Sequence, residues 1–200
     1  MSLDARSVFP RVDDPKISAV LFRAQEMSRY VVDGIIDCGL CGYDWVVENG
    51  NENDVVEICN LTYSRATSLP ARWVLAVPEE SEIREVKDFE GKIVATEIVN
   101  TVKRYFEKHG VKVNVEFSWG TTEIKARLLD GIVDLTETGS SIKANNLRVI
   151  DTILESTIRF VANKQAWAIP WKREKMENIA MLLRGAIEAR AKVGLKMNVP

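Results

Sequence analysis

The sequence predicts an α/β protein arranged as two lobes. Three observations carry that prediction. Short apolar segments of strand character alternate with amphipathic helical segments along the chain. Pro78 and the charged residues 79–90 interrupt this alternation, as a crossing between lobes would. One unit occurs on each side of the interruption: Asp33-Gly34-Ile35-Ile36-Asp37 returns as Asp130-Gly131-Ile132-Val133-Asp134.

In chain order, residues 1–15 read as irregular and 16–22 as a strand. Residues 24–33 carry Ala24, Met27 and Val31 at helical spacing, with Gly34 placed to stop the helix. A short buried strand is expected over 35–40, then a glycine-bounded helix over 42–50 with Trp45 and Val46 inward. Strands follow at 55–61 and 73–77. Past the interruption the expected elements are a strand at 92–96, a helix at 98–108 closed by Gly110, and a strand at 111–117. A helix at 121–130 and a strand at 132–135 come next. Strands at 148–154 and 157–162 return toward the first lobe. A long helix over 172–192 carries Met176, Ile179, Leu183 and Ile187 on one stripe. The expected division is a first lobe of residues 1–79 plus 164–200 and a second lobe of 80–163.

Composition narrows the function classes. The 200 residues are 46% hydrophobic and 28% charged, which is globular, and the formal net charge of −2 gives no global field to recruit nucleic acid or an anionic membrane. No stretch reaches the roughly 20 apolar residues a membrane helix needs. The opening residues lack the apolar run of a secretory signal. Three cysteines, Cys38, Cys41 and Cys59, make no disulfide framework, so a reducing, cytoplasmic setting is expected. A polyanionic ligand would have to be held locally.

Both repeat units place a glycine five residues after the second aspartate, Gly42 and Gly139. Ligands of open α/β sheets sit beyond the carboxyl ends of strands, so two half-sites facing across a cleft are expected. A common α/β unit that happens to occur twice is the plainer alternative. In the second unit, Thr138, Gly139, Ser140 and Ser141 precede a short helical stretch at 142–146. Glycine lets backbone approach, hydroxyls donate, and a helix start offers free N–H groups, which together suit a phosphate. An ordinary capped helix start accounts for the same residues. Asp134 and Glu137 could accept from sugar hydroxyls or share Mg2+ with a pyrophosphate, and solvent exposure or capping is the alternative. In the first unit, Asp37, Gly39 and Gly42 suit close approach to a flat base, or a tight turn before a helix capped by Asp44. Cys38 and Cys41 have no second pair, which argues against zinc.

Residues 130–141, preceded by Glu123 and followed by Asn145-Asn146-Leu147, resemble the signature of the ATP phosphoribosyltransferases. Residues 33–44 resemble that family's first-lobe segment, and 194–199 resemble the junction before the regulatory domain of its long form. The resemblance implies a two-lobed core like that of type II periplasmic binding proteins, with the ligand cleft between the lobes. It implies transfer of a phosphoribosyl group from phosphoribosyl pyrophosphate to N1 of ATP with Mg2+, the first step of histidine biosynthesis. Thr138 to Ser141 would cradle the 5-phosphate and Asp134 hold the ribose hydroxyls, with Glu137 beside it. Asp37, Gly39 and Gly42 would line the nucleotide side. A homo-oligomer, dimer or hexamer, is also implied. Nothing matches the family's opening strand and basic loop, and the histidine-sensing domain is expected beyond Pro200, so the chain is expected to be shortened at both ends. A small-anion binding module of the same architecture, or an inactive fragment, is the alternative.

Overall fold

The computed structural model describes residues 8–62, 70–190 and 192. The first seven residues and the 194–199 segment lie outside that range. Two sheets organise the chain. The smaller has strand order β1-β8-β2, from Cys38–Gly42, Ile158–Asn163 and Val55–Leu61. The larger has order β5-β4-β6-β3-β7, from Asn114–Phe117, Ile93–Thr96, Gly131–Thr136, Ala71–Pro78 and Leu147–Ser156. The helices are α1 (Ala24–Val32), α2 (Tyr43–Glu48), α3 (Val99–His109), α4 (Thr122–Lys125), α5 (Ser140–Ala144), α6 (Lys164–Trp167) and α7 (Pro170–Ala189).

The run Trp73-Val-Leu-Ala-Val77 explains the middle of the larger sheet. Successive side chains point to opposite faces. Trp73, Leu75 and Val77 join one core with Val102 and Phe106 of α3, while Val74 and Ala76 join another with Ile142 of α5. A strand covered on both faces needs no polar alternation. The smaller sheet is covered likewise, by α1 on one face through Val31 and by α7 on the other through Met176 and Ala180. Gly110, at φ +69, ends α3 in the left-handed region that glycine enters without strain.

Several expected elements differ. Residues 16–22 form no strand: their apolar character is real, but among the described residues no ladder partner meets them, and Phe22 packs on Tyr30 of α1 with ring centroids 5.1 Å apart. The strand expected at 35–40 begins only at Cys38, and Ile35 is 66% exposed. The strand of 111–117 is confined to β5. The helix of 121–130 is one turn, α4, because Ile124 and Leu128 face solvent and leave an isolated helix with too little packing to persist. Two strands pair across the expected boundary. β3, in the stretch read with the first lobe, pairs with β6 and β7, and β8, read with the second, pairs with β1 and β2.

Candidate functional site

Strand direction identifies where the sheets meet. β4 runs parallel to β5 and β6, while β3 runs antiparallel to β6 and β7. One edge of the larger sheet therefore collects the ends of β4, β5, β6 and β7 and the start of β3. From that edge β7 passes through Thr157 into β8, whose first residue, Ile158, pairs with both Gly42 and Leu61. The Gly42 end of the smaller sheet and the Thr136 end of the larger one thus face the same junction.

The predicted phosphate loop lies at this edge. Gly139 has φ +77 and begins α5. Its N–H donates to the buried Thr136 hydroxyl at 2.8 Å, which pins the loop to the strand. The Thr138 hydroxyl donates to Ser140 Oγ at 3.0 Å, and both side chains are exposed. Ser141 is partly covered, and its carbonyl accepts from Asn145 Nδ2 at 2.9 Å. Arg72 stands opposite Thr136 in the ladder, on the Val74 face of β3 shared with α5.

Asp134 sits within β6 rather than at its end, opposite Val74 and just beyond the point where pairing with β4 stops. Burial pushes its carboxyl up to about 6; the N–H of Leu135 works against this, while Glu123 and Glu97 raise it further. Glu97, between β4 and α3, is itself raised, by burial first and then by the charge of Asp44. Sequence reasoning missed Glu97 as part of this group. Only the pairing of β4 beside β6 reveals it. Glu137 follows β6 in the loop, partly covered.

The first-lobe residues separate. Asp37 precedes β1 at the end farthest from the junction, where its carbonyl accepts from Asn163 at 2.9 Å and its carboxylate pairs with Lys172 at 2.7 Å. Five strand residues, about 16 Å, lie between it and the Gly42 end. Gly39 is needed for packing: a Cβ there would meet Met27 Sδ at 2.1 Å. Gly42 does stand at the junction, and a Cβ there would lie 2.0 Å from Asp44 Oδ1. The buried Asp44 carboxylate accepts from Trp73 Nε1 at 2.9 Å and from Ser156 Oγ at 2.8 Å. This residue, read as a helix cap, ties the start of β3 to the end of β7. Burial pushes the Cys38 thiol up to about 11 and that of Cys41 up to about 12, so neither is poised as a nucleophile.

Residues 23–193 match the ATP phosphoribosyltransferase family. The ATP phosphoribosyltransferase of Chlorobaculum parvum is 57% identical over 200 residues, all of this chain and 67% of that protein. That of Thermodesulfovibrio yellowstonii is 56% identical over 196 residues, 98% of this chain and 66% of its own length. The chain thus spans about two thirds of the length of these curated relatives. Among solved structures, the ATP phosphoribosyl transferase (HisG:HisZ) complex from Thermotoga maritima superposes with a TM-score of 0.78 at 28% identity, covering 94% of this chain and 87% of that one. The substrate-binding protein of an amino acid ABC transporter gives a TM-score of 0.53 at 15% identity over 82% of this chain and 69% of its own, a likeness of fold that makes the architecture periplasmic-binding-protein-like. With a profile match across most of its length and relatives above half identity, the chain belongs to the ATP phosphoribosyltransferase family.

Proposed function

We propose that this chain carries out the family's reaction, joining N1 of ATP to C1 of phosphoribosyl pyrophosphate and releasing pyrophosphate at the opening of histidine biosynthesis. The observation that carries the reading is the pairing, on one sheet edge, of a glycine–hydroxyl loop with a carboxyl raised to about 6. Thr138, Gly139, Ser140 and Ser141 take the 5-phosphate, with Arg72 supplying charge at the rim. Asp134, ionised for the most part at neutral pH, accepts from the ribose hydroxyls, and Glu137 flanks it. The departing pyrophosphate leaves positive charge on the sugar ring, which a fixed carboxylate stabilises better than reorganising water does. Holding the two substrates in register supplies the rest, and no strong base is required.

The purine side of the reading rests on the Gly42 end of β1, at the junction, with Gly39 and Asp37 supporting that strand from behind. Mg2+ enters as the counter-ion of the substrate's pyrophosphate. Among the described residues no group of three or more His, Cys, Asp or Glu side chains is arranged to hold a metal; in this reading the substrate's phosphates would supply most of the ligands, and Asp134 would be the carboxylate to share the ion. The lobes we propose follow the sheets: α1, α2, β1, β2, β8, α6 and α7 in one, and residues 71–156 in the other. The acting form is proposed to be a cytoplasmic homo-oligomer; no described helix is long and apolar enough to cross a membrane. The family match, rather than the fold, separates this reading from an anion-binding module. Calorimetry with phosphoribosyl pyrophosphate and Mg2+, followed by assay of pyrophosphate release on adding ATP, tests it. Tight binding without any release would favour the binding module.

A further inference from the structure

The short helix α2 touches both lobes, and three of its six residues, Asp44, Val46 and Glu48, are buried. Toward the smaller sheet it is tied to α1: Ser28 Oγ donates to the Trp45 carbonyl at 3.2 Å, and Asn49 Nδ2 donates to the Gln25 carbonyl at 3.0 Å and to Ser28 Oγ at 2.9 Å. Toward the larger sheet it meets the start of α3. That helix follows Ile98, which has no side-chain oxygen to cap it. The carboxylate of Glu48 takes over the task from the other lobe. It accepts from the N–H groups of Asn100 and Thr101, both at 2.9 Å, and from the Thr101 hydroxyl at 2.8 Å. The exchange is reciprocal: Asn100 Nδ2 donates to the Glu48 carbonyl at 3.2 Å and Arg104 donates to the Val47 carbonyl. Each helix end closes the other.

Glu48 is only 8% exposed, and among the described residues none of its bonds is to a cation. A buried carboxylate is tolerated where several N–H and O–H donors converge on it, here together with the positive end of the α3 dipole. Such a contact is lost abruptly if the lobes shift by an ångström, since hydrogen bonds weaken steeply with distance and angle. At the other end of α2, the Asp44 bonds to Trp73 and Ser156 fix the helix to the start of β3 and the end of β7.

We infer that α2 is a strut setting the angle between the lobes, and that Glu48 is its positioning residue. Glu97 lies one residue before the Ile98 cap of α3, on the same lobe as Asp134. Resting on the proposed reaction, the strut predicts a split: the phosphate loop lies wholly on the larger sheet and keeps its ligand, while transfer between two substrates held by different lobes fails.

The test uses Glu48→Ala, Glu48→Gln and Arg104→Met. Hydrogen exchange at the amides of Asn100 and Thr101 should quicken at least ~10-fold in Glu48→Ala, with a smaller change in the other two. The dissociation constant for phosphoribosyl pyrophosphate should stay within about twofold, while kcat falls roughly 10- to 100-fold. Unchanged exchange overturns the strut whatever the enzyme does. Faster exchange with unchanged kcat, or with kcat and ligand affinity lost together, overturns the positioning role. If the parent neither binds nor turns over, the reaction reading fails, and exchange alone decides the strut. Should Glu48→Ala not fold, Arg104→Met carries the same comparison, because its side chain is exposed.

Discussion

Replacing Asp134 by asparagine should stabilise the folded chain while weakening its ligand. The carboxyl is pushed from 3.8 up to about 6, chiefly by burial and then by Glu123 and Glu97. That gap corresponds to roughly 3 kcal/mol between protonation states. Asp134 is only partly buried and water screens it, so about 1–2 kcal/mol is the expected share of stability. The sign follows from proton counting. Between about pH 4 and pH 6 the folded chain keeps a proton that the unfolded chain has released, so this group makes stability fall as pH rises through that window. Above about pH 7 the full penalty applies; below about pH 4 there is none. Asparagine has no such penalty, so the variant should melt about 4 °C higher at pH 7.5 and with the parent near pH 4. Thermal unfolding of the two proteins side by side cancels the titrating groups that do not interact with Asp134, leaving Asp134 and its coupled neighbours Glu123 and Glu97. A difference that does not change with pH, or an asparagine variant less stable at pH 7.5, refutes the reasoning. Calorimetry on the same pair should show affinity for phosphoribosyl pyrophosphate reduced at least tenfold in the variant.

Gly139→Val meets open space, yet it forces a β-branched residue to φ +77, at a cost of about 1–3 kcal/mol; calorimetry should find ligand binding abolished and circular dichroism a fold largely kept. Gly42→Ala keeps an ordinary φ of −68, so its cost is the clash with Asp44 alone. Displacing that carboxylate leaves Trp73 Nε1 unpaired and the Ser156 hydroxyl proton without its acceptor in the interior, and denaturant titration should show a loss of about 2–4 kcal/mol. Gly39→Ala drives Met27 from its place at about 1–2 kcal/mol, and adding Met27→Ala should cost less than the two single changes summed, a coupling that a double-mutant cycle measures.

What the sequence discloses and what it conceals divide along physical lines. Periodicity is local, so α1, α3, α7 and the two-faced run of β3 can be read from their own residues. Pairing is not local. Residues 16–22 have a strand's composition, but a strand exists only against a partner. The sheet assignments of β3 and β8 were equally hidden. One crossing between the sheets is the single residue Thr157, without any shift in composition, whereas the conspicuous charged segment after Pro78 connects two strands of the same sheet. At the candidate site, Gly139 stands out in the sequence as a place where backbone could approach a phosphate beside hydroxyls, and the structure puts it at φ +77 at the start of α5. The first unit misled: Asp37 and Asp134 match in sequence, yet one precedes its strand and the other lies within its strand. Asp44, Glu48 and Glu97 draw their roles from residues such as Ser156, Thr101 and Asp134, which only the fold brings near.

The arrangement of charge gives the proposed chemistry its direction. A cleft built only to hold anions would gain from removing acidic groups, since each repels a phosphate. Here Asp134, Glu97 and Asp44 stand near the same edge as the phosphate loop; burial raises the Asp134 carboxyl first and the charges of Glu123 and Glu97 add to it, while burial and then the charge of Asp44 raise Glu97. Such an arrangement is favourable only when positive charge arrives with the ligand or develops on it. A magnesium salt of pyrophosphate brings the first, and a sugar ring losing its leaving group develops the second. In the proposed reaction the carboxylates would disfavour bare phosphate and favour the reacting state over the resting one, which is how differential binding becomes rate. The same electrostatic cost that makes Asp134 a weak point of the empty fold is, on this reading, what the transition state relieves.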